Sequence, residues 1–481
     1  MAQRDLFAGM KMRPTSNAQQ ITQSINQSKQ SVSNSAKYMP ASTSMVPQYS
    51  VLRQTLAIIE KNIKDGLIED SDSYVTTNTE EGLRKLRDDI LEVGAFAWDT
   101  EFDSLEHGYM DATLICVSIH NPKDDTDHFI PFKHCDTQKN LLPNQVTYEQ
   151  FRNILGCIFE SPDIKKMSHQ YAACDNIVLR NNTGIKVRGT YWDSLLFVNL
   201  IDENRNKGNS LKQLYTEWVL KQEGKEASYD DLFKGISFAF VPLHIARIYA
   251  CKDSKMTWEV CHEEMKMTSG PDYAKAVKHF VTTEAPQIDI TADMTYRGVA
   301  INMDITRSLR KEYEELQKEC LERMNKFVIQ VTGSTINFSS TQQLSHLIYD
   351  VLRCPTVDKS KKCPEGTKGT GDEIIEKLAN ANPHIPIFQD IRIYRSTTKL
   401  LGTYLVGIPD SINKKTGKVH GKWLSFGAKT SRYSSREPNL QNIPSHKNEV
   451  TGKDDSRVRQ MFTAGPGRVY LSSDYSLRKV G

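Results

Sequence analysis

The stretch GAFAWDTEF, residues 94–102, constrains this chain more than any other. Its first half is a short apolar run of the kind a strand buried on both faces requires. Its second half breaks that rule, because Asp99 and Glu101 stand two residues apart and a strand sends both carboxyls to one face. Two like charges that close are costly unless water or a cation neutralises them. An exposed strand with two acids is the commoner origin of such a pair, but these acids close an apolar and therefore central strand. The pattern predicts a mixed sheet carrying an acidic site at the end of its middle strand.

The segments around it agree. ATLICVSIH and DHFIPF read as two further strands, TYEQFRNILGCIFE as an amphipathic helix and IKKMSHQ as a short strand. Helices follow at AACDNIVLRN, DSLLFVNLIDE and SLKQLYTEWVL, and one long helix from Val241 to Lys266 carries Pro242 near its first turn. This predicts an α/β domain over residues 75–268, one mixed sheet covered by helices. Residues 269–481 turn mainly helical, with a long amphipathic segment from Asp304 and a capping-box spacing at Ser340 and Gln343. Ahead of both, residues 51–74 read as a helical lead-in. Residues 1–50 hold 22 Ser, Thr, Asn or Gln, so a disordered polar tail is expected there.

Composition excludes several classes of function. No run of about eighteen apolar residues exists to span a membrane, and the first residues lack the apolar core of a secretory signal. Nine cysteines without C-x-x-C spacing argue for reduced thiols and against a zinc site. The net charge of +3 is unevenly placed: Gly421 to Gly481 holds eleven Lys or Arg against five Asp or Glu. A basic end points to an anionic partner, nucleic acid first.

Further acids stand where a metal site would need them. Asp175 opens a helix just after a strand, and Tyr249 and Asp253 lie four apart on one helical face. Asp99, Glu101, Asp175 and Asp253 would supply an oxygen-rich site for two Mg²⁺ or Mn²⁺ ions. Such a pair can serve phosphodiester hydrolysis, with Tyr249 orienting the attacking water.

These motifs resemble a known family. DTE at 99–101, a later helix-borne Asp and YACKD at 249–253 resemble motifs I, II and III of the DEDDy 3′→5′ exonucleases, a ribonuclease H-like fold. LIDEN (200–204) and SLKQL (210–214) resemble the segment after motif II in the proofreading domain of family A, DNA polymerase I-like enzymes. The resemblance implies Asp99, Glu101, Asp175 and Asp253 as catalytic metal ligands and Tyr249 as the water-positioning group. It departs at motif II, where SHQYAACD replaces an H-N-x-K-F-D pattern and puts Gln170, Tyr171 and Cys174 in unfamiliar places; His169 stands near the family's histidine.

The chain also resembles the polymerase half of that family. TSRYSSREPNLQNIP, residues 430–444, closely matches its T-G-R-L-S-S-x-x-P-N-L-Q-N-I-P stretch. The match implies DNA contacts from Arg432, Ser434, Ser435, Arg436, Asn439, Gln441 and Asn442, donors suited to phosphates and to minor-groove edges. DMTYRGVAIN (293–302), INFSSTQQLSHLIYDVL (336–352) and IYRSTTKLLGTYL (393–405) resemble segments leading into and through the thumb. RVYLSSDYS, expected as a strand, matches the approach to motif A and makes Asp474 the first metal ligand of a polymerase site. Beyond it Leu477, Arg478 and Lys479 stand where the family reads Q-I-E, and motifs B and C do not follow. The resemblance thus implies the N-terminal part of a replicative family A polymerase, of phage type, that proofreads DNA 3′ ends in the cytoplasm of a bacterial host. Nucleotide incorporation by this chain alone is not expected. A DNA-binding half of a split polymerase, completed by a second polypeptide, and a truncated gene product are the alternatives.

Overall fold

The computed structural model describes residues 49–65, 68–103, 108–170, 174–202, 204–205, 208–224, 226–233, 236–357, 366–425 and 432–473. Residues 1–48 of the expected polar tail, Tyr171, Ser431, Asp474 and Leu477–Lys479 lie outside the described residues, and the last two residues of that tail, Tyr49 and Ser50, open a helix instead. The chain divides into two compact units, one of residues up to Arg297 with Trp423–Ser434, the other of Gly298–Lys422 with the residues from Ser435 on.

The first unit is built on a six-stranded mixed sheet. A helix, α1 (Tyr49–Lys64), leads into β1 (Tyr74–Thr76) and α2 (Glu80–Val93). The α2 helix starts where the Thr79 hydroxyl accepts from the Gly82 N–H at 3.2 Å, and it stops at Gly94, whose left-handed φ of 76° lets its own N–H reach Ile90 O at 2.7 Å. That stop delivers the chain directly into β2 (Ala95–Asp103), followed by β3 (Thr113–Asn121) and β4 (Thr126–Pro131). Then come α3 (Tyr148–Glu160), with a complete Thr147–Gln150 capping box, β5 (Lys165–Ser168), α4 (Asp175–Thr183), β6 (Thr190–Asp193) and α5 (Ser194–Ile201).

Spatial order is β1-β4-β3-β2-β5-β6, with β2 antiparallel to β3 and parallel to β5. The predicted central strand is therefore central. Its apolar half is fully buried, Phe96 and Trp98 meeting the Phe159 ring edge-on at 5.1 Å. A short helix, α6 (Leu211–Leu214), continues into a wider turn over Tyr215–Val219, and α7 (Leu243–Met267) runs across β2, β3 and β4. The lead-in helix α1 is part of this unit, its Leu52 and Ile59 packing with Ile115, Phe129 and Ile245.

The divide between the two compact units falls at Gly298. The last helix before it, α8 (Ala285–Arg297), is tied to the sheet unit: Asp289 accepts from Gly189 N (3.1 Å) and Thr190 Oγ1 (2.6 Å), and Asp293 pairs with Arg180 at 2.7 Å. Sequence patterning shows α8 to be helical but not which neighbour covers it.

The second unit is mostly helical. After β7 (Val299–Ile301), the long α9 (Met303–Thr332) is capped by Asn302, whose side-chain oxygen accepts from Asp304 N and Ile305 N. It packs along α12 (Ile387–Leu400), with α10 (Thr341–Ser345) and α11 (Asp372–Ala381) between them in sequence. Ser340 caps α10 as expected, but the Gln343 side chain accepts from Asn337 N at 2.7 Å instead of closing the box. Two short strands, β8 (Lys418–Val419) and β9 (Phe462–Thr463), flank β7.

The strand expected in RVYLSSDYS is not formed over the described residues 468–473, where Val469 and Leu471 are 90% and 93% exposed. A strand persists only where a neighbour takes its hydrogen bonds, and among the described residues no strand pairs with this stretch.

Candidate active site

Asp99 and Glu101 emerge together from the end of β2, where the ladder to β3 shifts register between Glu101 and Phe102. Asp253 comes to them from α7. Carboxylate oxygens of Asp99, Glu101 and Asp253 all lie within 4.8 Å of one another. Asp175, at the first turn of α4, adjoins them, its two oxygens taken by the hydroxyl of Thr100 and, at 3.4 Å, by the thiol of Cys174. The structure thus brings three of the four expected carboxylates to one point and sets the fourth beside them.

The electrostatics follow from that crowding. Burial, then the neighbouring Asp175, Asp253 and Glu101 carboxylates, pushes the Asp99 carboxyl well above its usual range. Burial and then Asp253 do the same for Glu101. Asp175 is raised by burial to about 6, the Thr100 and Cys174 hydrogen bonds pulling the other way. A hard, oxygen-only donor set whose charges repel is what a divalent cation neutralises. The residues present therefore fit such an ion, with Asp99, Glu101 and Asp253 as the group able to hold one between them.

Tyr249 lies one turn before Asp253. Its ring is braced by Phe233 and Phe238, with centroids 5.5 and 5.9 Å away. The register of α7 is fixed from beneath by a buried polar cluster: Ser254 Oγ donates to Asp127 Oδ1 at 2.9 Å, and His120 Nδ1 stands 3.1 Å from the same oxygen. His169 turns its Nδ1 to Ser194 Oγ at 2.7 Å, and burial lowers it to about 3, so it is a neutral ring beside the site.

Sequence reasoning missed Lys212. Its ammonium on α6 pairs with Asp253 Oδ1 and stands 4.9 Å from the Tyr249 ring centre. It lies within SLKQL, yet no spacing in that segment marks it as facing an acid 41 residues later.

The residues expected on DNA divide in two. Arg432, Arg436, Asn439, Gln441 and Asn442 are exposed, and Ser434 is half-buried. Ser435 is turned inward: its hydroxyl accepts from Leu440 N at 3.2 Å and faces Pro438 O at 3.4 Å. Both contacts hold its own loop closed. The Asn439 side-chain oxygen likewise accepts from Gln441 N and Asn442 N.

Comparison with known proteins places both regions. Residues 74–268 match the 3'-5' exonuclease family and residues 306–478 match DNA polymerase family A. The chain is 30% identical over 389 residues to DNA polymerase I of Chloroflexus aurantiacus, covering 79% of this chain and 38% of that protein. It is 27% identical over 403 residues to DNA polymerase I of Pseudomonas aeruginosa, covering 82% and 40%. The chain thus spans about two fifths of the length of these relatives. Among solved structures, the POL domain of Pol1 from M. smegmatis, in complex with DNA primer-template and dNTP, matches with a TM-score of 0.59 at 20% identity, covering 78% of this chain and 56% of that one. The likeness is one of fold. Among the described residues no helix is long and apolar enough to cross a membrane.

Proposed function

Since residues 74–268 belong to the 3'-5' exonuclease family and residues 306–478 to DNA polymerase family A, we propose that the chain removes nucleotides from DNA 3′ ends by metal-dependent hydrolysis at the site on β2 and α7. The observation that carries the proposal is the approach of Asp99, Glu101 and Asp253 within 4.8 Å in a partly buried setting. Nothing in the packing of the strand requires acids there.

Asp99, Glu101, Asp175 and Asp253 would hold the ions, Mg²⁺ or Mn²⁺ by the hardness of their oxygens. When bound, the ions supply Lewis acidity toward a phosphodiester. The chain's own groups do the rest. The Thr100 and Cys174 donors fix the Asp175 carboxylate, so its oxygens need not be ordered when a cation arrives. The phenol of Tyr249, aimed by Phe233 and Phe238, orients the attacking water against the phosphorus. His169 stays neutral and adds no positive charge that would compete for the same acids. In the second unit, the exposed Arg436, Asn439, Gln441 and Asn442 would contact DNA as part of a polymerase's grip on its primer-template, with Arg432 adding a further cation.

The test is release of mononucleotides from a 3′-labelled single-stranded oligonucleotide with Mg²⁺ or Mn²⁺. Changing Asp99→Ala together with Glu101→Ala should abolish release, and full activity in that double variant would refute the assignment.

A further inference from the structure

Lys212 is a cation already inside the site. Its side chain and that of Asp253 are only 13% and 8% exposed, so the pair is largely withdrawn from water. The ammonium also faces the Tyr249 ring at 4.9 Å, and its field acts on Asp99, Glu101 and His169 as well as on its partner. One positive charge therefore serves three carboxylates, Asp99, Glu101 and Asp253.

The position is built. Ser210 caps α6, its hydroxyl taking the Gln213 N–H at 3.4 Å, and Thr216 Oγ1 donates to Lys212 O at 2.8 Å, which fixes the backbone on either side. Lys212 lines an apolar cavity with Leu232, Phe233, Ile248 and Met256, a wall along which the stem of a long side chain can move while its head stays polar. Lys252 at the rim is already paired with Glu226 at 2.8 Å and does not compete for Asp253.

We propose that Lys212 is a tethered counter-cation that occupies Asp253 in the metal-free protein and must leave it for a divalent ion to bind. The proposal rests on the exonuclease reading of the site. Displacement follows from donor chemistry. Asp253 is the carboxylate that meets the ammonium and also one of the three that can share an ion with Asp99 and Glu101, and a monovalent head cannot satisfy three carboxylates at once. Lys212 thereby keeps the empty acidic cluster from repelling itself apart, at a cost in metal affinity. The same movement withdraws the ammonium from the Tyr249 ring, so metal loading and exposure of that ring are linked.

The experiment titrates Mn²⁺ into the full chain, reading free Mn²⁺ by its electron paramagnetic resonance, and measures the melting temperature with and without the ion. K212M keeps the length and apolar stem but removes the charge, while K212R keeps the charge and grips a carboxylate with two donors. K212M should bind Mn²⁺ about tenfold more tightly than the unaltered chain, the scale of a typical coupling between two sites. Its metal-free form should melt lower, and its gain in melting temperature on adding Mn²⁺ should be larger. K212R should bind Mn²⁺ more weakly than the unaltered chain. Equal or weaker binding by K212M overturns the inference, as does tighter binding by K212R, which reads the same point if K212M does not fold. Binding by the unaltered chain that neither variant changes refutes the role of Lys212 alone. No binding by any of the three proteins refutes the metal site itself and the inference with it.

Discussion

Lys166, on β5, offers a quantitative test of how the sheet unit tolerates charge. Its side chain is buried, and the ammonium donates to the carbonyls of Ser161 and Ile164, the latter at 2.8 Å. Among the described residues no carboxylate pairs with it directly, so burial lowers it from 10.5 to about 7, the acids Asp289 and Asp163 opposing only in part. A shift of that size corresponds to about 5 kcal/mol at roughly 1.36 kcal/mol per unit. The sign is set by proton counting. Between pH 7 and 10.5 the unfolded chain holds the proton and the folded one does not, so stability rises with pH across that window. Below pH 7 the full cost is present. In Lys166→Met the ammonium is gone and two carbonyls lose a donor, which costs about 1–3 kcal/mol each at every pH. The pH-independent loss drops out when the variant is compared with the unaltered chain at two pH values. The stability difference should therefore move by about 4 kcal/mol between pH 6 and pH 10, the variant being relatively best at pH 6. All five tryptophans, Trp98, Trp192, Trp218, Trp258 and Trp423, fall in the same unit as Lys166, so denaturant unfolding followed by tryptophan fluorescence reports on it. A difference that stays flat between the two pH values would show that Lys166 keeps its ordinary basicity and that the burial argument is wrong.

A buried histidine acts with the same sign in a lower pH window. Burial lowers His134 from 6.5 to about 4, with Val241 O accepting its ring N–H at 3.0 Å, so its stabilisation is full above pH 6.5 and lost as pH falls toward 4. His134→Gln should flatten acid unfolding, followed by the same fluorescence, by about 3 kcal/mol over that window. Glu264 is raised well above its usual range by burial and accepts from Trp192 Nε1 at 2.7 Å. In melting experiments Glu264→Gln should cost under about 1 kcal/mol because the acceptor remains, while Glu264→Ala should cost about 2–4 kcal/mol through the cavity and the orphaned indole N–H. Replacing both Arg432 and Arg436 by Ala should weaken binding to duplex DNA regardless of sequence and lower the slope of log affinity against log salt by about 1–2. An unchanged slope would remove these arginines from the phosphate contacts.

Part of this protein was determined by the sequence alone, and it is the part that lives within single elements. The alternation along β2 put Asp99 and Glu101 on one face, the four-residue step along α7 put Tyr249 beside Asp253, and the apolar spacing of TYEQFRNILGCIFE marked α3 as an amphipathic helix. Each follows from the repeat of one strand or helix, which depends on no neighbour. The family motifs were legible for the same reason, as runs of adjacent residues. Tertiary structure decided whatever depends on two elements meeting. It placed α8 on the sheet unit, turned the Ser435 hydroxyl back into its own loop, and left residues 468–473 without the neighbour a strand needs. It also set Lys212 against Asp253, a contact that depends on the turn after α6 and the tilt of α7 across the sheet. A sequence states the faces of its elements, but proximity between faces is fixed only once the sheet order and the packing of helices over it bring distant side chains within bonding distance.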